Sequence, residues 1–125
     1  MDLRKKTEMI VVHCAATKPS MDIGASEIKK WHVEENGWDD IGYHYIIKRD
    51  GLVEVGRPEA FQGAHAPAAN SKSIGICLVG GMSEDGDAEN NFTIEQFLSL
   101  KDLLKRLLMT NSNIKEIVGH YDIQD

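Results

Sequence analysis

Short apolar, β-branched runs alternate along the chain with polar breaks, and one long apolar stripe recurs at helical spacing. Met9-Ile10-Val11-Val12-His13-Cys14 has the pattern of a buried strand. Thr17-Lys18-Pro19-Ser20 breaks it as a loop. Ser26 then opens a helix to about Asn36, with Glu27 in its first turn and Gly37 just past its end. Ile28, Trp31 and Glu35 lie near one another on it, and Trp31 is its core anchor. Tyr43 to Lys48 predicts a second strand and Leu52 to Val55 a third, with Asp50-Gly51 between them as a hairpin signal. Residues 57 to 72 read as a loop around Gly63-Ala64-His65-Ala66. Ser73 to Val79 is a fourth strand, stopped by Gly80-Gly81, and residues 82 to 91 form an acidic surface loop. Thr93 caps a long helix, and Gln96 three residues later completes a capping box. Phe97, Leu100, Leu104, Leu107 and Leu108 are expected to face the sheet. Ile114 to Val118 is a fifth strand, ending in Gly119-His120.

This order predicts an α/β fold, a central mixed β-sheet of about five strands flanked by helices. At 125 residues the chain reads as one domain, residues 1–125. Net charge is −6, and no basic face offers itself to nucleic acid. There is no apolar run of about 18 residues, so no membrane span is expected. The first residues lack a signal-peptide pattern, which implies cytoplasmic synthesis. Cys14 and Cys77 are too few for a disulfide framework and read as reduced core thiols. A monomer is expected.

Candidate chemistry lies in the histidines. His13 ends the first strand and His120 the last, and open α/β sheets place ligand sites at strand ends. Two readings follow: half of a zinc site, or two half-exposed polar histidines. Tyr43 likewise reads either as a strand tyrosine with a surface hydroxyl or as a hydrogen-bond donor at a site. His44 alternates with Tyr43 and is expected on the other face of the sheet; His32 and His44 read as structural. Cys14 is expected to point away from His13.

Several blocks carry a resemblance. They are Ile10-Val11-Val12-His13-Cys14-Ala15-Ala16-Thr17-Lys18-Pro19-Ser20, Trp31-His32, Gly42-Tyr43-His44-Tyr45-Ile46-Ile47-Lys48-Arg49-Asp50-Gly51, Gly63-Ala64-His65-Ala66, Ser73-Ile74-Gly75-Ile76-Cys77-Leu78-Val79-Gly80-Gly81 and Asn91-Phe92-Thr93. In this order they resemble the zinc-dependent N-acetylmuramoyl-L-alanine amidases (type 2 amidases), in particular the small lysozymes of the T-odd phages. The resemblance implies an amidase-like and peptidoglycan-recognition-protein-like fold with a zinc-bearing groove. It implies peptidoglycan as substrate, cut at the amide between N-acetylmuramic acid and L-alanine, after release of the enzyme to the cell wall. His13 and His120 match the first and second zinc ligands, Tyr43 the active-site tyrosine, and His65 a block bordering the substrate groove.

The resemblance also sets an expectation at the carboxyl end. Relatives continue past the second zinc histidine to a lysine, a third ligand and a closing helical stretch. The chain given stops at Asp125, which reads as truncation after the second ligand. Asp122 is then the nearest carboxylate, read either as a recruited ligand or as a solvated tail residue. The alternative function is a non-catalytic peptidoglycan-binding module or an inactive homologue.

Overall fold

A computed structural model of the chain describes residues 1–120. Strand β1 (Met9–Cys14) pairs parallel with β4 (Ser73–Leu78), in register from Met9↔Ser73 to Cys14↔Leu78. It also pairs parallel with β5 (Glu116–Gly119), from Met9↔Glu116 to Val12↔Gly119. Strand β2 (Tyr45–Ile47) pairs parallel with β4 and antiparallel with β3 (Val53–Val55). The sheet order is therefore β3-β2-β4-β1-β5, the mixed five-stranded sheet that the order of motifs predicts. Central β4 is buried along its whole length, so its residues are apolar or small.

Strand alternation divides the core into two layers. Ile10, Ile47, Ile74, Ile76 and Leu78 pack with Leu103 and Leu107 of helix α2 (Ile94–Thr110). On the opposite face, Ile46, Cys77 and Val79 pack with Ile28 of helix α1 (Ala25–Lys30) and with Ile23 and Ile41. Val11 joins Ala66 and Ala69 of the long loop on that face. Ser73 and Gly75 alternate with Ile74 and Ile76 and so share the α1 side with Cys77.

Two helix expectations change. Helix α1 starts at Ala25, one residue before Ser26, with Gly24 as its N-cap. The Glu27 carboxylate accepts the Gly24 N–H at 2.6 Å and Glu54 of β3 accepts the Ala25 N–H at 2.8 Å. Those two carboxylates satisfy the first amides, and Ser26 instead bonds Glu27. Past Lys30 the helix widens into a π-turn over Trp31–Glu35, and Gly37 leaves it at φ +71°. Trp31 is only partly buried against the core.

The buried stripe of α2 is also rotated. It runs through Gln96, Leu103 and Leu107, with Leu100 and Leu104 partly buried against the core, whereas Phe97 and Leu108 are 47% and 42% exposed. Polar Gln96 sits at its head because its amide has work there. Its Oε1 accepts the Thr93 N–H at 2.9 Å, and its Nε2 donates to Ile47 O at 3.1 Å and Val79 O at 2.8 Å. Gln96 thus ties the helix start to Ile47 at the end of β2 and to Val79 just past β4.

Gln96→Leu keeps the volume and removes those donors. A loss of about 2 kcal/mol is expected from the buried groups left under-satisfied, read as a lower urea unfolding midpoint. An unchanged midpoint contradicts this account.

Candidate functional site

Parallel pairing of β1 with β5 brings His13 beside His120, their ring centroids 4.6 Å apart. The Tyr43 ring lies 5.2 Å from that of His13, and the His65 ring 4.9 Å away at a right angle of 89°. The four residues singled out from the sequence thus meet around His13, at the carboxyl end of the central strands. Cys14, the next residue on β1, turns to the other side and packs beside Gly81. A cleft of about 810 Å³ opens there, lined by His13 and His120 together with Cys14, Leu78, Gly81 and Phe92.

Tyr43 and His44 precede β2, so strict alternation does not apply to them. The His44 N–H bonds Gly75 O at 2.9 Å, and the ring folds back so that Nδ1 accepts the Gly75 N–H at 3.0 Å. Its Nε2–H donates to Phe61 O at 2.7 Å. The ring therefore lies along the sheet and comes within 5.8 Å of His65, not on a face opposite Tyr43. Both nitrogens of His44 serve backbone groups, a structural role as the sequence reading held. Burial lowers its pKa from 6.5 to about 4.

Tyr43 packs among Ile41, Ile46 and Cys77. Burial, then the neighbouring Cys77 thiol, push its phenol above the usual range. Its ring also meets that of His32 at 5.5 Å. His32 is held in turn by the Gly42 N–H, donated to Nδ1 at 2.9 Å, and by the Trp38 ring at 4.6 Å.

His65 lies under the site, 8% exposed, with Nδ1 2.8 Å from His13 Nε2 and Nε2 3.2 Å from Ser73 Oγ. The family resemblance implies a place for it in a block bordering the substrate groove; the structure seats it beside His13. Asn70 Oδ1 fixes that loop by accepting the N–H groups of His65 at 3.0 Å and Ala66 at 2.8 Å. Two glycines make room for the ring. A Cβ on Gly75 would lie 2.6 Å from His65 Cγ, and one on Gly63 2.6 Å from His65 Cδ2. Arg57, unmarked in the sequence reading, is buried and donates to Ile41 O, Gln62 O and Asp40 O, bracing the far end of the same loop.

As a donor set, His13 and His120 suit a borderline metal such as zinc, which takes neutral imidazoles readily. Among the described residues no group of three His, Cys, Asp or Glu is placed to hold a metal ion. Asp122 lies outside the described residues.

Comparison with known proteins identifies relatives of the whole fold. Residues 3–125 match the Amidase_2 family, N-acetylmuramoyl-L-alanine amidase, whose members generally depend on zinc. The endolysin of Enterobacteria phage T3 is 55% identical over 120 residues, covering 96% of this chain and 78% of its own. The endolysin of Escherichia phage T7 is 54% identical over 105 residues, or 84% of this chain and 69% of its own. Among solved structures, the endolysin amidase LysCS from Clostridium intestinale superposes with a TM-score of 0.83 at 31% identity, over 99% of this chain and 75% of its own.

The state of His44 makes stability depend on pH. Folded His44 stays neutral down to about 4, while the unfolded chain takes up the proton near 6.5. Between those values the unfolded state binds more protons, so stability is fully present above pH 6.5 and falls as pH drops toward 4. The loss is on the order of 3 kcal/mol. Urea midpoints between pH 4 and 8 should show a shallower acid decline for His44→Asn than for the unaltered chain; equal slopes count against it.

Proposed function

The chain belongs to the N-acetylmuramoyl-L-alanine amidase family, and from that premise we propose that His13 and His120 hold zinc while Tyr43 acts on the reacting amide. The family's reaction makes the chain a peptidoglycan hydrolase. It cuts the amide joining the lactyl group of N-acetylmuramic acid to the L-alanine of the stem peptide. The observation that carries the site assignment is the meeting of the His13, His120 and Tyr43 rings at one end of the sheet, from segments far apart in sequence.

When bound, zinc supplies Lewis-acid polarisation of the amide carbonyl and makes water acidic enough to attack near neutral pH. The chain's own residues supply the rest. The parallel pairing of β1 with β5, which ends at Val12↔Gly119, sets the two imidazoles side by side. Tyr43 keeps its proton through the neutral range, because burial raises its phenol, and so acts as a donor. Its O–H stabilises the carbonyl oxygen as negative charge develops there, a role worth about 10²–10³ in rate. The rings of His13 and His32 lie 5.2 and 5.5 Å from the Tyr43 ring. The muramyl peptide binds at this end of the sheet, and the enzyme meets it after release from the cytoplasm to the cell wall.

Incubation with purified cell walls should lower turbidity and release new L-alanine amino termini. Chelation should stop this and added zinc restore it. His13→Ala and His120→Ala should lose zinc binding, while Tyr43→Phe should lower kcat by about 10²–10³ with zinc affinity retained. Zinc-supplied protein that releases no amino termini refutes the assignment.

A further inference from the structure

Beneath His13 a short chain of hydrogen bonds has a direction that its last member dictates. Ser73 Oγ lies 2.7 Å from the carbonyl oxygen of Ala69. A carbonyl only accepts, and two oxygens at that separation need a proton between them, so the serine hydroxyl donates to Ala69 O. Its single proton is then committed, and toward His65 it can only accept. His65 Nε2, 3.2 Å away, therefore carries a proton, and Nδ1 of the neutral ring carries a lone pair. That lone pair faces His13 Nε2 at 2.8 Å, so His13 Nε2 is the donor. In neutral His13 the proton sits on Nε2 and the lone pair on Nδ1.

We propose that the Ala69–Ser73–His65 relay fixes the tautomer of His13, and that His65 is a positioning residue for the zinc site, not a ligand of it. This rests on the reading of His13 as a ligand given above. The relay leaves His65 no lone pair to offer, since Nε2 holds a proton and Nδ1 receives one from His13. What it gives His13 is an unprotonated Nδ1 presented in one orientation, and a distal N–H bonded to an acceptor, which raises the basicity of a ligating imidazole. The relay is built in. Ser73 is fully buried on the central strand, and Ala69 is held by its N–H donated to Ala66 O at 2.8 Å. The bare faces of Gly63 and Gly75 leave the ring one place to lie.

Long-range proton–nitrogen NMR correlations of the imidazoles in metal-free protein test the direction. Both His13 and His65 should be the Nε2–H tautomer; an Nδ1–H signal from either overturns the relay. Zinc affinity, by competition with a chromophoric chelator, tests the role. His65→Leu should weaken zinc binding about 10- to 100-fold, the usual effect of removing a partner of a ligating histidine. His65→Asn, which keeps an acceptor oxygen near the Nδ1 position, should recover most of it. Ser73→Ala should weaken zinc binding too, with the folded state checked by circular dichroism. Equal affinity for His65→Leu and the unaltered chain refutes the positioning role. An unaltered chain that binds no zinc refutes the ligand assignment instead, because the tautomers are read without metal.

Discussion

The parallel pairing of β1 with β4 decides where each site residue stands. Its register sets His13 beside Cys77 and, two pairs earlier, Val11 beside Gly75. The side chains of alternate residues then share the α1 face, so His13 looks down a column that holds Ser73 and Gly75. A slip of β1 by one residue would turn His13 to the α2 face, away from Ser73 and Gly75. It would also part His13 from Tyr43, which reaches the same column from the segment before β2. The sheet is thus the ruler by which loop residues far apart in sequence find one another.

Placing imidazoles in such a layer has a physical condition: buried rings must stay neutral and have defined partners. His44 meets it with two backbone groups, His32 with one backbone amide, and His65 with Ser73 and His13. Burial, followed by the neighbouring imidazoles, lowers the pKa of His65 to about 2. Backbone groups, a serine hydroxyl and a neighbouring imidazole hydrogen-bond these three rings.

Elements whose signal is local were legible in the sequence. Thr93 and Gln96 announce the start of α2, and Asp50-Gly51 announces the β2–β3 turn, where Gly51 takes φ +89°. The strands β1 and β4 follow from their apolar runs. Features set by distant partners were not legible. Glu54 reaches α1 from β3 and moves its start, and Gln96 is buried because two strand ends offer carbonyls. His44 breaks alternation because Gly75, 31 residues away, has an amide to bond. His65 could be placed near the groove by resemblance, but its position beneath His13 depends on the space that Gly63 and Gly75 leave. A glycine facing a histidine across a strand pair is the signal that would have found it.

The amide of Gln96 has one more consequence. Pairing between β2 and β4 is only three residues long, Tyr45↔Ile76 to Ile47↔Leu78, too short to define its own alignment strongly. The Gln96 side chain needs the carbonyls of Ile47 and Val79 at one point in space, and only one alignment provides both. A helix docked on misaligned strands would bury an amide without partners. The first turn of α2 therefore favours correctly matched strands, because a mismatched pair would leave the buried amide without its two carbonyls.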